Sequence, residues 1–382
     1  MRDSMARLQL MGERAAPVFV RGQGSWLWDA EGRAYLDFEQ GMGGNSFGHS
    51  PTLLLDALRR QAELLISPGR QQCSRGQLKL AARLCEATGS ERVAFCSGAD
   101  QANGVAVRLA LQWAAEQNPA ADTLVLIDDS HADLPLQLGV TRVLRVPFND
   151  LEALAAVVDL RCAAVLIEPV QLTRGVVPAT LEYLQGAQRL CREQGAVLIL
   201  DETSSGMGRC GALLAEELYG VRADLFTLGS ALGGGLPLAA VLARGRIGHA
   251  ADTALPQASP GEALLTVAAV SVLKAVLDGS FFAQAREVAE HLREGLAQLS
   301  RRHAHGPLRG HGLMLGLPLI GQSASAVQQA ARNHGVLFGI AGEDCLRLSP
   351  ALTVSHGNIE EMLRRLGRAL QDVEQCCAEE VA

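Results

Sequence analysis

Two charged side chains stand near the ends of apolar runs, where they could take part in chemistry. Asp201 closes the run Ala196–Leu200. A carboxylate there could hold a protonated ring nitrogen or a metal ion, or it could cap the segment that follows. Arg347 lies near the end of Cys345–Ser349, where it could clamp a carboxylate through two hydrogen bonds or keep its head in water as an edge residue. The residue types alone leave these alternatives open.

A third candidate is the segment formed by Ser97, Gly98, Ala99 and Asp100, between a predicted strand and a predicted helix. A glycine at such a junction lets backbone N–H groups point at an anion such as a phosphate. The alternative is a tight turn in which Asp100 is the helix N-cap, and its carboxylate would then compete with a phosphate for the same amides.

Lysine is nearly absent from the chain. Of 34 basic residues only Lys79 and Lys274 are lysines, and both lie in predicted helices. Any mechanism that needs a lysine amine therefore has only these two candidates.

The composition excludes several classes of function. The formal net charge is −7 and no basic run occurs, which argues against nucleic acid as a partner. The nine cysteines are scattered without a C-x-x-C pair, which is typical of reduced thiols in the cytoplasm, and no metal-ligand spacing is present. No apolar stretch reaches the roughly 18 residues of a membrane span, so we expect no membrane partner.

Short apolar runs alternate with helix-length stretches along the middle of the chain. The runs that predict strands are Val93–Cys96, Leu124–Ile127, Val143–Val146, Ala163–Ile167, Ala196–Leu200, Leu225–Leu228 and Leu238–Leu242. This alternation is typical of a mostly parallel α/β sheet with helices on both faces. Ligands of such sheets lie beyond the carboxyl ends of the strands. After Gly261 two helices and then mixed strands and helices predict a smaller α+β domain.

Seven motifs follow one another along nearly the whole chain. They are Trp28–Gly32 with Tyr35–Phe38, Asn45–His49, Glu168–Gln171, Asp201-Glu202 with Gly206–Arg209, Leu232–Pro237, Arg309–Gly316, and Arg347 with Pro350 and Leu352. Together they resemble the class III (acetylornithine/ornithine-type) aminotransferases of the fold-type I pyridoxal-phosphate (PLP) superfamily.

The resemblance implies a PLP-transferase-like architecture. We expect a large domain with a mostly parallel seven-stranded sheet at 49–275. A small α+β domain would come from both chain ends, at 1–48 and 276–382. The resemblance also implies a homodimer with two active sites at the subunit interface.

The residue expected to form the Schiff base has changed. The family has a lysine just before its glycine-rich loop, and Ser230 occupies that position in Gly229–Gly235. Serine has no amine and cannot form an imine, and an unassisted hydroxyl is too weak a base for the 1,3-proton shift.

Other family positions have changed as well. Ser130 stands where an aromatic ring would stack on the cofactor, and Ser204 where a glutamine would bind its phenolic oxygen. Thr173 replaces the gating glutamate, and the threonine that reaches a phosphate of the partner subunit falls near Ala258. A Ser-Gly-Ala phosphate cup matches Ser97, Gly98 and Ala99 only after a shift of one residue.

Three family positions are retained. Asp201 would be the partner of the pyridine nitrogen, His131 lies in the cofactor loop, and Arg347 would clamp the substrate carboxylate. The sequence therefore predicts an aminotransferase-like protein with a degenerate active site, retained as a dimeric binding or regulatory protein for a small amino-acid-like ligand or a protein partner.

Two alternatives stay open. One is an enzyme with lysine-independent chemistry that uses His131, Asp201 or Ser230 in the same cleft. The other is a residual transaminase that holds PLP or pyridoxamine phosphate (PMP) without a covalent bond.

Overall fold

A computed structural model of the chain describes residues 17–69, 72–130, 134, 142–250 and 261–381. The helices in these ranges are α1 Thr52–Ala62, α2 Arg75–Thr88, α3 Ala99–Gln117, α4 Leu151–Val157, α5 Leu181–Gln194, α6 Gly245–Ala250, α7 Ala263–Val276, α8 Phe281–Arg302, α9 Ala324–Asn333 and α10 His356–Val381. The strands of the large sheet are β4 Arg92–Cys96, β5 Thr123–Ile127, β6 Arg142–Val146, β7 Cys162–Ile167, β10 Val197–Glu202, β11 Leu225–Leu228 and β12 Ala239–Ala243.

The remaining strands are short. They are β1 Phe19–Gln23, β2 Trp26–Asp29, β3 Ala34–Asp37, β8 Val170–Gln171, β9 Val177–Pro178, β13 Arg309–His311, β14 Met314–Pro318, β15 Val336–Leu337, β16 Gly339–Ile340 and β17 Cys345–Leu348.

The large sheet has the order β4-β12-β11-β10-β7-β5-β6. Only β12 runs antiparallel to its neighbours, so the predicted mostly parallel sheet of seven strands is confirmed. Its central strands are buried throughout, because helices cover both faces. On one face α3 packs across five of the strands, and on the other face α5 packs on β7 and β10.

The two chain ends meet in smaller sheets. The β1–β2–β3 hairpins, predicted from residues 24–38, are joined by β15, which pairs in parallel with β3. A second sheet has the order β13-β14-β17-β16, and α8, α9 and α10 surround both sheets. One apolar cluster connects these elements, because Leu36 and Phe38 from the first sheet pack with Leu346 and Leu348 from the second.

Several boundaries differ from the sequence prediction, and two of them illustrate how. The strand predicted from Gly312 begins at Met314, because Gly312 adopts a φ of +53° and forms the turn of a β13–β14 hairpin. The last helix extends to Val381, ten residues beyond the predicted end at Gln371.

Helix ends follow the expected local chemistry. The Ser74 hydroxyl accepts the Gln77 N–H at 3.1 Å, and the Gln77 side chain accepts the Ser74 N–H at 3.3 Å. Gly89 ends the same helix, α2, in a left-handed conformation.

Across the described ranges, no single helix has the length and apolarity to cross a membrane. The bent pair α7 and α8 passes that test only when the two helices are joined.

Candidate active site

Four loops meet at one edge of the large sheet. Strands β4, β5, β10 and β11 run in the same direction, so the residues that follow them lie together beyond their carboxyl ends. These residues include Ser97, Ser130 and Ser230, and Asp201 is the last residue but one of β10 itself. The structure therefore places at one edge of the sheet four positions that the sequence selected from separate motifs.

Asp201 is the centre of a buried polar network. Its Oδ2 accepts a hydrogen bond from Asn103 Nδ2 at 2.7 Å, and its Oδ1 accepts the Thr203 N–H at 2.8 Å and the Thr227 hydroxyl at 3.2 Å. The Thr227 hydroxyl also lies 2.8 Å from Asn103 Oδ1. Asn103 and Thr227 were not selected from the sequence, although a polar residue on the apolar face of α3 is a signal that could have identified Asn103.

Ser230 begins a short 3-10 turn, Ser230–Gly233, directly after β11. The side chain is half-buried, and a Cβ atom on Gly44 would lie 2.5 Å from its Oγ. The Gly44 backbone therefore packs against this hydroxyl. Among the described residues the hydroxyl has no hydrogen-bond partner, so no base in that part of the chain activates it as a nucleophile.

Two hydroxyls, one from the loop after β5 and one from the segment after β8, hold the backbone of the loop after β5. The Ser130 hydroxyl donates to the Ile127 carbonyl at 2.9 Å and is buried, and the Thr173 hydroxyl donates to the Asp129 carbonyl at 2.9 Å. Arg174 pairs with the Asp129 carboxylate. These side chains act on the loop itself and offer no flat surface for a ring. His131 and Ala258 lie outside the described residues.

The candidate anion-binding segment, residues 97–100, contains the glycine cap of a helix. Gly98 is the N-cap of α3, and the alternative that Asp100 is the cap is wrong. Asp100 is the second helical residue with an exposed side chain, where its charge favours the helix N-terminus. Gln101 Oε1 accepts the Ser97 N–H at 2.7 Å, so this amide is already occupied. Ser204 is half-buried in the turn after β10.

Arg347 is only 9% exposed, so the alternative that its head lies in water is wrong. Its Nη2 donates to Glu39 Oε1 at 3.2 Å, and its buried Nε has no hydrogen-bond partner. The guanidinium lies across Gly339, where a Cβ atom would come within 2.7 Å of Nη2 and 2.8 Å of Nε. Glu39 is not predicted from the sequence, because nothing local to it indicates an arginine partner.

Within the described residues no three or more His, Cys, Asp or Glu side chains are grouped to hold a metal ion.

The sheet and this loop cluster define a fold-type I PLP transferase. The crystal structure of N-acetylornithine aminotransferase from Stenotrophomonas maltophilia matches with a TM-score of 0.87 and 32% identity, over 95% of this chain and 97% of that chain. The ornithine aminotransferase of Toxoplasma gondii matches with a TM-score of 0.89 over 98% and 94% of the two chains. At 24% identity it supports the fold alone.

The family model for aminotransferase class III matches residues 11–142 and 134–370. Acetylornithine aminotransferase 2 of Bordetella parapertussis is 35% identical over 94% of this chain and 95% of its own length. Succinylornithine transaminase of Yersinia enterocolitica is 33% identical over 93% and 92%. The chain belongs to the class III aminotransferase family.

PLP is the cofactor of this family, and the described residues do not fit it as a covalent group. Ser230 supplies no amine, Ser130 supplies no ring, and the Ser97 amide is already bonded to Gln101. Only Asp201 stands where the family residue would meet a pyridine nitrogen, at the carboxyl end of β10. These residues therefore support no chemical step through PLP.

Proposed function

We propose that this chain is a non-catalytic member of the aminotransferase family that uses its cleft to bind a small amino-acid-like ligand. It would form no PLP Schiff base and catalyse no transamination. The observation that carries the proposal is Ser230, which lies beyond β11 with no amine and no hydrogen-bond partner among the described residues. A single lost lysine removes the covalent bond on which the family's chemistry depends.

The neighbouring substitutions support the same conclusion. Ring stacking and each neutral hydrogen bond contribute roughly 1 kcal/mol to binding. Several such losses weaken cofactor affinity by on the order of a thousandfold, before the covalent bond is counted.

We also propose a homodimer. Leu64, Leu65, Ile66 and Leu78 are 40–80% exposed. Leu78 lies on α2 and the other three follow α1. Both helices pack on α7, and we propose that the four side chains form one surface. An apolar surface of this kind is typical of a protein interface. Eight cysteines of the described ranges are free thiols, which supports a reducing cytoplasmic location.

Absorbance of the purified protein tests the loss of the Schiff base. We expect a colourless protein that shows no aldimine band after incubation with PLP and desalting. An aldimine band that borohydride bleaches would overturn the proposal.

A Ser230→Lys variant tests whether the lysine is the only missing part. We expect it to form no stable aldimine and to give no transamination of N-acetylornithine, because the ring-stacking and phosphate positions remain changed. Ser325→Lys, at an exposed position, is the control for an added lysine. Aldimine formation with turnover in Ser230→Lys alone would show that the rest of the cleft is intact.

A further inference from the structure

Two buried arginines among the described residues, Arg209 and Arg244, direct their hydrogen bonds to groups of the fold itself. Arg209 donates to the carbonyls of Gly43, Leu313 and Pro350. Arg244 donates to the carbonyls of Thr88 and Ala223 and pairs with Glu216 at 2.6 Å. A buried guanidinium with several acceptors is the usual solution for a structural arginine, because each unmet donor is costly.

Arg347 is buried as well, at 9% exposure, but makes far fewer hydrogen bonds. Among the described residues its one acceptor is Glu39 Oε1, at 3.2 Å, and Nε is enclosed without a partner. A guanidinium binds a carboxylate best through two parallel hydrogen bonds. The contact with Glu39 therefore leaves part of the binding capacity of Arg347 unused.

Glu39 is held at Arg347 by its own turn. Its Oε1 also accepts the Met42 N–H at 3.1 Å, and its N–H donates to Asp37 Oδ1 at 2.9 Å. The next four residues, 40–43, all have positive φ values, including the non-glycine residues Gln40 and Met42. Such backbone conformations are strained and are retained at functional sites more often than elsewhere.

The same turn reaches the cleft. Gly44 follows it directly and packs against the Ser230 hydroxyl, while Arg347 approaches from β17. Residues 39–44 therefore connect the arginine to the position of the missing lysine.

We propose that Glu39 is an internal competitor for a carboxylate-binding site at Arg347, and that the cleft takes small molecules whose free carboxylate displaces it. Such a carboxylate can make two hydrogen bonds where Glu39 makes one. By competing for Arg347, Glu39 lowers the affinity of the cleft for every ligand carboxylate, so that only a carboxylate that binds Arg347 more strongly displaces it. This inference rests on the proposed binding function, since it concerns the ligand of the same cleft.

Calorimetric titration without cofactor tests the proposal. The probes are N-acetyl-L-ornithine and N-acetylputrescine, which differ by the carboxylate. In Glu39→Gln, which keeps the shape of the side chain and an acceptor for the Met42 N–H, we expect N-acetylornithine to bind about five- to tenfold more tightly than to the wild type. Affinity for N-acetylputrescine should not change.

Three further variants complete the test. Glu31→Gln removes one negative charge from an exposed surface turn and should leave both affinities unchanged. Glu39→Ala should tighten N-acetylornithine binding as Glu39→Gln does. Arg347→Gln should abolish the preference for the carboxylate.

Equal affinity of N-acetylornithine for wild type and both Glu39 variants would overturn the inference. So would an absence of carboxylate-dependent binding to both variants at millimolar concentrations. An aldimine band with PLP would instead contradict the proposed function, and it would leave the comparison of Glu39 variants standing.

Discussion

At the scale of single residues, the changed positions of the cleft have acquired structural roles. The Ser130 hydroxyl binds the Ile127 carbonyl, the Thr173 hydroxyl binds the Asp129 carbonyl, and Gln101 occupies the Ser97 amide. In each case the hydrogen bond joins two groups of the protein, at a position where the family resemblance would place a contact with the cofactor. These groups are therefore bonded within the protein, and under the proposed function a restored lysine alone would not recover the cofactor contacts.

The retained carboxylate of Asp201 depends on a buried neighbour. Asn103→Ala removes the 2.7 Å bond to Asp201 and a bond to Thr227, both in the interior. We expect the free energy of unfolding to fall by about 1–3 kcal/mol, measured by urea denaturation. Asn333→Ala, at an exposed position, should change it by less than about 0.5 kcal/mol. Equal effects of the two variants would show that the network contributes nothing to stability.

The buried carboxyl of Glu202, next to Asp201, should make the free energy of unfolding depend on pH. Burial raises the pKa of the Glu202 carboxyl to about 7, against the hydrogen bonds that it accepts from Ser205 and two backbone amides. The folded state therefore holds this proton more tightly than the unfolded state. The stabilisation that comes from this tighter proton binding is fully present below about pH 4.5 and is lost as the pH rises through 7.

Glu202→Gln should lack this dependence. Its stability relative to wild type should rise by about 1–3 kcal/mol between pH 5 and pH 8, in urea denaturation at intervals of one pH unit. Glu361→Gln is the control. Hydrogen bonds from Arg364 and Arg365 lower the pKa of Glu361 to about 2, so its difference from wild type should stay flat in this window. A flat difference for Glu202→Gln would show that the carboxyl is ionised throughout.

At the scale of elements, close backbone approach decides where the functional groups lie. The guanidinium of Arg347 on β17 lies across Gly339 on the neighbouring strand β16, at directly paired positions. The glycine lets the arginine lie flat on the strand and reach Glu39. Gly44 also lacks a Cβ atom, and this lets its backbone contact the Ser230 side chain.

Gly339→Ala should disrupt this arrangement. A Cβ atom would lie 2.7–3.0 Å from three guanidinium atoms, and the buried side chain has little room to move. We expect a loss of about 1–3 kcal/mol in unfolding free energy, together with loss of the carboxylate preference in titration. Gly357→Ala, in α10 where a Cβ meets no atom within 4 Å, should be neutral or stabilising by up to about 1 kcal/mol. A Gly339→Ala variant as stable as wild type would refute the packing argument.

At the scale of the whole molecule, both chain ends pack beside the large sheet. Glu39 comes from the N-terminal part and Arg347 from the C-terminal part, so the ion pair joins the two ends. The exposed apolar surface formed by Leu64, Leu65, Ile66 and Leu78 lies on another part of the molecule, on helices that pack against α7.

A charge introduced on this surface should weaken the proposed homodimer. Ile66→Asp should raise the dissociation constant of the proposed homodimer at least tenfold, because a carboxylate at an apolar interface loses its water. Sedimentation velocity over a concentration series measures the effect. Ile320→Asp, at a similarly exposed apolar residue near α9, should leave assembly unchanged. A wild-type protein that stays monomeric at all concentrations would contradict the homodimer.

The sequence by itself determined the elements, the order of the motifs and the serine at 230. Periodicity and capping residues act over a few positions, so they indicate strands, helices and the loops beyond them. The tertiary structure alone decided the partners of the site residues. Glu39 and Arg347 are 308 positions apart, and Asn103 and Asp201 are 98 apart. Such pairs are set by the packing of whole elements, and no local pattern in the chain specifies them.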